Sequence, residues 1–270
     1  MKSPLPESTT KASRPRWTSS LQFLAGLPAL FLLHSCAETR EDALTVAVAS
    51  NFVNAARQIV ESFRAETGIK VILVSGSTGK LTAQIQQGAP FDVFLSADRE
   101  SPGRLVEDGI AVPGTRFTYA MGQLALYSRT DSFVDEKGEV LNTAEFSHLA
   151  IANPKLAPYG RAAQECLISL GLLDRVQNRI AYGENIAQTF HFVESGNAEL
   201  GFVALPQTLN LTGGSTWQLP SYLHSPIEQD AILLQDTVAG RRFLTFLQSD
   251  PARHIVKKNG YLLPPSLHVE

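Results

Sequence analysis

Four short segments of uncharged hydrogen-bonding residues could bind a small anion. They are Ser50-Asn51, Ser77-Thr78-Gly79, Tyr159-Gly160 and Asn185-Ile186. Each follows a predicted strand and begins a predicted helix, where backbone amides have no partner within the helix. A helix N-terminus behaves as roughly half a positive charge. Several converging N-termini, together with hydroxyl and amide side chains, could therefore hold a dianion without lysine or arginine.

This set of donors also discriminates between oxyanions. A protonated oxyanion would place its hydrogen against another donor and leave that donor unpaired. The pattern therefore favours molybdate, tungstate or sulfate over hydrogen phosphate. One segment alone would indicate little, since a serine in this position is usually only a helix cap. The loop from Gly76 to Gly79 lacks the spacing and the Lys-Ser/Thr ending of a P-loop, although Lys80 follows it.

Alternating strands and helices must position these segments. Strands are predicted at 44–49, 71–74 and 91–95 with helices between them, which is one half of a doubly wound α/β unit. The same order restarts after Gln123, with strands predicted at 124–127, 148–152, 180–182 and 200–204. A strand at 231–234, a helix at 237–247 and a short helix after Pro251 are expected to pack back on the first lobe. The sequence therefore predicts two α/β lobes.

The N-terminal segment has the layout of an export signal. Four basic residues precede an uncharged stretch at 17–33, and the stretch ends in Leu33-His34-Ser35-Cys36. This ending resembles a lipoprotein processing box, with Cys36 as the lipid-bearing first residue of the mature protein. Cleavage nearby by ordinary signal peptidase and a single membrane-spanning anchor are the alternatives, the second disfavoured because Gly26 and Pro28 interrupt the short apolar core.

Composition excludes several classes of protein. The 270 residues are 44% apolar and 18% charged, enough for one large or two ordinary cores. With the segment before Cys36 removed, 19 basic and 25 acidic residues remain, a net charge of −6 that argues against nucleic acid as a partner. Cys166 is then the remaining cysteine, so no internal disulfide is expected, and it is predicted to lie in the core. The six histidines are scattered rather than spaced as metal ligands.

Several motifs in fixed order resemble the periplasmic molybdate-binding proteins of ABC importers. The resemblance extends from about residue 44 to about residue 264. The motifs are Val48-Ala49-Ser50-Asn51-Phe52, the runs 75–81 and 88–98, Arg116-Phe117-Thr118-Tyr119-Ala120, Ala152-Asn153-Pro154 with Ala157-Pro158-Tyr159-Gly160, and Leu200-Gly201-Phe202-Val203-Ala204.

The resemblance implies which residues bind the oxyanion. The first pair of ligands in that family corresponds to Ser50 and Asn51. The ligand from the second loop corresponds to Thr78, supported by Ser77. The other lobe supplies Tyr159, through its hydroxyl or its backbone, and the backbone amide of Ile186. Many family members have serine in place of Thr78 and valine in place of Ile186, and neither departure removes a donor. Molybdenum would be bound as the oxyanion, with no protein atom as a direct metal ligand and no cofactor.

The resemblance also implies a fold, a location and a partner. The fold is a type II periplasmic binding protein, α/β, with two mainly parallel sheets flanked by helices and the ligand in the cleft between the lobes. The expected boundaries are a signal peptide at 1–35, a tether at 36–43, a first lobe at 44–120 plus 229–264, a second lobe at 121–228 and a tail at 265–270. Crossovers are expected near 119–123 and 225–230. A periplasmic or extracytoplasmic monomer, attached to the membrane only by a lipid, would deliver molybdate or tungstate to an ABC permease.

Other functions are compatible with parts of the pattern. The same fold could bind sulfate, phosphate or a small organic anion, or could serve as an anion sensor. A serine hydrolase using Ser50 or Ser77 with His191 is a remote alternative, since neither serine lies in a G-x-S-x-G turn. Arg161 could add charge to the anion site or could be solvated on the first turn of its helix, and whether Arg161 or Lys80 touches the anion stays open.

Overall fold

Strands and helices alternate through the described part of the chain, which in this computed structural model comprises residues 43–143 and 145–265. The predicted signal peptide, Cys36, and most of the predicted tether and tail lie outside these residues. The strands are β1 (Leu44–Ala49), β2 (Val71–Gly76), β3 (Val93–Leu95), β4 (Phe117–Gly122), β5 (Leu124–Ser128), β6 (Leu149–Ala152), β7 (Ile180–Gly183), β8 (Leu200–Ala204), β9 (Ser215–Gln218) and β10 (Ile227–Leu233). The α-helices are α1 (Val53–Thr67), α2 (Thr78–Gln86), α3 (Glu100–Glu107), α4 (Pro158–Ser169), α5 (Leu173–Val176), α6 (Ile186–Glu194), α7 (Val238–Leu247) and α8 (Asp250–Lys258).

The strands form two five-stranded sheets with matching topology. The first has the order β2-β1-β3-β10-β4, and the second has the order β7-β6-β8-β5-β9. In each sheet the first three strands are parallel, the fourth is antiparallel to its neighbours, and the fifth returns to the original direction. The prediction of two lobes with mainly parallel sheets is confirmed.

The chain passes between the sheets twice. Gln123 alone separates β4 of the first sheet from β5 of the second, and residues 219–226 lead from β9 back to β10. Strands of the first sheet therefore extend to Gly122 and resume at Ile227, close to both expected crossovers. The lobe boundaries at 120/121 and 228/229 stay predictions.

Local sequence explains the first βα unit. Strand β1 is apolar and almost wholly buried, as expected for a strand with helices on both faces of its sheet. Helix α1 buries Ala56, Ile59 and Phe63 on one face. It ends at Gly68, whose φ of 75° and N–H bond to the Arg64 carbonyl form a left-handed cap that favours glycine.

The C-terminal segment packs back on the first lobe, as predicted. Strand β10 pairs with β3 and β4, and α7 and α8 contribute to the same apolar cluster as β1 and α1. Phe243 of α7 meets Phe63 of α1 with ring centroids 5.2 Å apart and the rings nearly perpendicular. No helix among the described residues is long and apolar enough to cross a membrane.

Several elements differ from the sequence-based prediction. Strands β4 and β9 were not predicted as strands; β9 is a short edge strand with alternating burial that follows Gly213-Gly214. Ser50 and Asn51 do not cap α1, because Ser50–Phe52 forms a separate 3-10 turn before it. Helix α2 begins at Thr78 rather than at Lys80.

We expect Phe243→Ala to lower the free energy of unfolding by about 3–5 kcal/mol, because it empties a fully buried site in the first lobe. Urea denaturation monitored by circular dichroism measures this change. Val238→Ala in the same helix is the control; its side chain is 74% exposed, and its effect should stay within about 0.5 kcal/mol. Equal effects of the two substitutions would contradict the assignment of α7 to the core.

Candidate functional site

All six predicted ligand residues line a single small cavity. Its walls are Ala49, Ser50, Asn51, Gly76, Ser77, Thr78, Ala97, Ala157, Pro158, Tyr159, Asn185 and Ile186. The first seven belong to the first lobe and the others to the second. Strands β1, β2, β6 and β7 end at this cavity, and the helical segments that follow them begin there. The cavity therefore has the position in which open α/β sheets bind ligands.

The first lobe contributes two buried hydroxyl groups. Ser77 occupies the N-cap position of α2 without capping it, and its Oγ is buried with no hydrogen-bond partner in the described residues. The Thr78 Oγ1 accepts the Ala97 N–H at 3.2 Å, which leaves its own hydrogen to donate. A buried hydroxyl without a partner is costly unless something else accepts from it. Ser77 therefore presents an unpaired buried hydroxyl, and its supporting role implied by the resemblance stays a prediction.

The Asn51 side chain is held by hydrogen bonds within the first lobe. The side-chain Nδ2 donates to Gln229 Oε1 at 2.9 Å and lies 3.4 Å from the Tyr261 hydroxyl. The Tyr261 hydroxyl donates in turn to the Asn51 carbonyl at 2.6 Å. Since both side-chain amide hydrogens have partners, the donor left for a ligand is the Asn51 backbone N–H in the first helical turn.

Helix α4 leaves one amide of its first turn for the cavity. Pro158 has no N–H, and the amides of Gly160 and Arg161 both donate to the Ala157 carbonyl. The Tyr159 amide is the remaining donor of this turn. The Tyr159 hydroxyl is buried elsewhere, beside Gly122 and the Gln229 side chain, without a hydrogen-bond partner in the described residues. The Tyr159 hydroxyl is thus buried next to the Gln229 side chain, which favours the backbone alternative for Tyr159 as a ligand.

Helix α6 is arranged in the same way. The side-chain oxygen of Asn185 accepts from the amides of Ala187 and Gln188, both at 3.0 Å, and the Asn185 carbonyl accepts from Thr189. Asn185 is therefore a helix cap. The Ile186 amide is the one first-turn amide that this cap does not use, and its role as a ligand stays a prediction.

Charged side chains surround the cavity but do not line it. Lys80 forms an ion pair with Glu184 at 2.6 Å, and Arg161 forms one with Asp98 at 2.8 Å. Both pairs join the two lobes. Arg161 is half-exposed and held by Asp98, so it is neither a free cation in the anion site nor a fully solvated residue.

Backbone contact across the cleft depends on glycine. The Gly79 N–H donates to the Leu156 carbonyl at 2.8 Å, which joins α2 of the first lobe to the segment before α4. A Cβ on Gly79 would lie 3.1 Å from both the Cα and the carbonyl oxygen of Leu156. Glycine at this position therefore allows the two lobes to meet at the edge of the cavity.

Sequence reasoning missed the residues behind the cavity. Gln229, Tyr119 and Tyr261 are buried and form hydrogen bonds with Asn51 or with each other. No periodicity or cap signal marks them. Cys166 is fully buried in α4 as predicted, and burial raises the pKa of its thiol to about 12. In the described part of the chain, no group of three or more His, Cys, Asp or Glu residues could hold a metal ion.

Comparison with known proteins identifies relatives along most of the chain. Residues 44–262 match the family described as bacterial extracellular solute-binding protein. A molybdate-binding protein of Azotobacter vinelandii is 45% identical over 85% of this chain and 93% of its own length. One of Rhodobacter capsulatus is 45% identical over 80% of this chain and 86% of its own length.

Solved structures share the fold. The periplasmic molybdate-binding protein of Azotobacter vinelandii superposes with a TM-score of 0.80 at 40% identity, covering 82% of this chain and all of that one. A sulfate-binding protein of Mycobacterium tuberculosis superposes with a TM-score of 0.70 at 11% identity, covering 83% of this chain and 88% of that one. The second match bears on the fold alone.

Buried tyrosines should make the protein less stable in alkali. Burial raises the pKa of Tyr119 and Tyr159 well above the usual value, and also raises that of Tyr127 and Tyr261. A raised pKa in the folded state favours folding fully below the unfolded pKa of about 10, and this contribution is lost as the pH rises above it. Urea denaturation between about pH 8 and pH 11 should show a falling free energy of unfolding, with a shallower fall for Tyr159→Phe. If the free energy of unfolding fell equally steeply with pH in wild type and in Tyr159→Phe, this prediction would be wrong.

Proposed function

The chain belongs to the bacterial extracellular solute-binding protein family, together with the periplasmic molybdate-binding proteins, and from this premise we propose that it captures molybdate for an ABC importer. The observation that carries this proposal is the cavity itself. We propose Ser77 Oγ, Thr78 Oγ1 and the first-turn amides of Asn51, Tyr159 and Ile186 as its donors; these residues line the cavity together with Ser50, and no charged side chain does. The names of the relatives at 45% identity supply the identity of the anion.

The chemistry of the cavity supports a fully deprotonated tetrahedral anion. Each contributing group donates a hydrogen, so a ligand that carries its own proton would leave a donor unpaired. Tungstate has nearly the size and charge of molybdate, and we propose that it binds as well. Sulfate meets the same requirement for charge and shape, but its shorter bonds would stretch contacts to a cavity built for the larger ion.

Closure around the anion is the signal we propose for transport. Donors come from both lobes, so the anion stabilises the state in which the lobes meet and shifts an equilibrium between open and closed forms. The lobes concerned are the predicted ones, 44–120 plus 229–264 and 121–228. A membrane permease of an ABC importer would then recognise the closed form.

We propose a periplasmic location for the mature protein and binding without catalysis. The N-terminal sequence supports export, with signal peptide 1–35 and Cys36 as the lipid attachment point. Against the serine hydrolase, the Ser77 hydroxyl contacts no base, and His191 is exposed on α6 with no hydrogen bond to Ser50. A screen of the purified protein with ester and phosphoester substrates should show no turnover.

Calorimetry of the purified protein with sodium molybdate should show one ion per chain, and Ser77→Ala should weaken binding by about tenfold or more. The substitution removes a buried donor that only a ligand can satisfy. Ser249→Ala is the matched control, because Ser249 Oγ is also buried without a partner among the described residues but lies at the start of α8, away from the cavity. Sulfate preferred over molybdate would refute the choice of ligand, and equal affinity of Ser77→Ala and wild type would refute the role of Ser77.

Breaking the Lys80–Glu184 pair should shift the protein towards the open form. Both partners are nearly half exposed, so we expect Lys80→Met to weaken molybdate binding by only about two- to fivefold, and less at high salt. X-ray scattering of the unliganded variant should show a larger radius of gyration than wild type. Arg241→Met is the control, since Arg241 pairs with Asp236 inside the first lobe. A loss of affinity without any change in scattering would argue that Lys80 acts on the anion directly.

A further inference from the structure

A buried polar cluster lies directly behind the anion cavity. Its members are Asn51, Tyr119, Gln229 and Tyr261 of the first lobe and Tyr159 of the second. Gln229 is fully buried at a bulge in β10, on the first strand after the second crossover. A primary amide in such a place is expected to have partners for its oxygen and its nitrogen, because an unpaired buried polar group is costly.

The hydrogen bonds fix the orientation of the Gln229 amide. Tyr261 gives its one hydroxyl hydrogen to the Asn51 carbonyl, so it can only accept from the Asn51 side chain. The atom of Asn51 that faces Tyr261 and Gln229 is therefore the donor Nδ2. Gln229 accepts its hydrogen bond through Oε1, at 2.9 Å. The Tyr119 hydroxyl, which also contacts the Ser96 carbonyl, lies 3.2 Å from the same Oε1.

The Gln229 nitrogen then points towards the second lobe. Gln229 Nε2 and the Tyr159 hydroxyl are both buried without a hydrogen-bond partner in the described residues. Gly122, at the first crossover, lies beside both of them. A Cβ on Gly122 would overlap with the Tyr159 hydroxyl and lie 3.0 Å from Gln229 Nε2. Two unsatisfied groups of complementary chemistry, one from each lobe, thus lie beside the same glycine.

We propose that Gln229 is a positioning residue for the anion site. Its Oε1 fixes the side chain of Asn51, and its Nε2 donates to the Tyr159 hydroxyl when the anion is bound. Both neighbours present backbone amides to the cavity, so one amide side chain aligns a donor from each lobe. This inference rests on the proposed function, since it concerns the same oxyanion site.

Gln229→Glu tests the proposal because it exchanges the donor Nε2 for an acceptor with little change in shape. At about pH 8 the carboxylate could not donate to the Tyr159 hydroxyl, which would donate to it instead, and it would bring negative charge close to the anion, so molybdate should bind about 100-fold more weakly. Burial raises the pKa of a carboxyl group, and protonation restores a neutral group that can donate. At about pH 6 the deficit should therefore shrink to about tenfold, which a merely structural defect would not reproduce.

The surroundings of Gln229 allow this pH profile to be interpreted. Tyr119, Tyr159 and Tyr261 have raised pKa values and stay neutral in this range. The carboxylate of the adjacent Asp230 accepts the Thr118 hydroxyl at 2.7 Å and faces Arg99 and Arg116, at 3.7 and 3.5 Å. These groups are present in both wild type and variant, so the difference between the two pH profiles reports on the introduced carboxyl group and its immediate neighbours.

Two further variants complete the experiment. Gln58→Glu is the matched control: it makes the same change of charge on α1, where Gln58 bonds Asn259, and should bind molybdate within about twofold of wild type at both pH values. Tyr159→Phe keeps the backbone amide and removes the hydroxyl, and should weaken binding by about tenfold. Combined with Gln229→Leu, it should lose less than the product of the two single effects, because both substitutions break the same bond.

The outcomes separate this inference from the proposed function. Wild-type protein that binds no oxyanion would overturn the proposed function. Wild-type protein that binds molybdate, with Gln229→Glu equal to it at pH 8 or weakened equally at both pH values, would overturn the positioning role alone. Should Gln229→Glu not fold, strictly multiplicative losses in Tyr159→Phe, Gln229→Leu and their double variant would overturn it as well.

Discussion

The organising constraint in this protein is the burial of a doubly negative ion without an opposite charge. Removing an ion from water costs at least several kcal/mol, and hydrogen-bond donors must replace the lost hydration. Hydroxyl groups and the amides at helix N-termini are donors of this kind. Residues that carry both line the cavity, which lies where the strands end. The proposed donors come from both lobes, so the proposed site is complete only when the lobes meet. Ligand binding would then be coupled to closure.

The charged residues are arranged in agreement with this constraint. Lys80 and Arg161 lie in the first turns of helices that begin at the cavity, yet each is paired with a carboxylate from the opposite lobe. Such pairs bring the lobes together while adding no net charge to the cavity. They also keep the cavity free of a permanent counter-ion, so that donors rather than salt bridges discriminate between ligands. The ion pairs at the edge of the cavity thus hold the lobes together, while the uncharged donors inside it select the ligand.

The site has a cost in stability. Ser77 Oγ, Tyr159 Oη and Gln229 Nε2 are buried without partners in the described residues, although most buried polar groups in proteins are satisfied. Glycine at positions 79 and 122 leaves room for the lobes to approach each other, where a Cβ would crowd the opposite lobe. These features cluster around the cleft, whereas the apolar clusters of the two lobes are formed by ordinary packing. A binding site can contain such unpaired polar groups, which lower the stability of the unliganded protein, when the ligand supplies their missing hydrogen bonds.

Local sequence patterns predict the βα units and the helix N-termini that follow their strands, because strand and helix periodicities are local features. The roles of Tyr159 and Ile186 as ligands are implied by the resemblance and stay predictions. The direction of the Asn51 side chain, the pairing of Arg161 with Asp98 and the position of Gln229 depend on the folded structure. Asn51 and Gln229 are 178 positions apart, and strand β10 brings them together by pairing with β3. Such contacts depend on how distant strands pair, which no local pattern specifies.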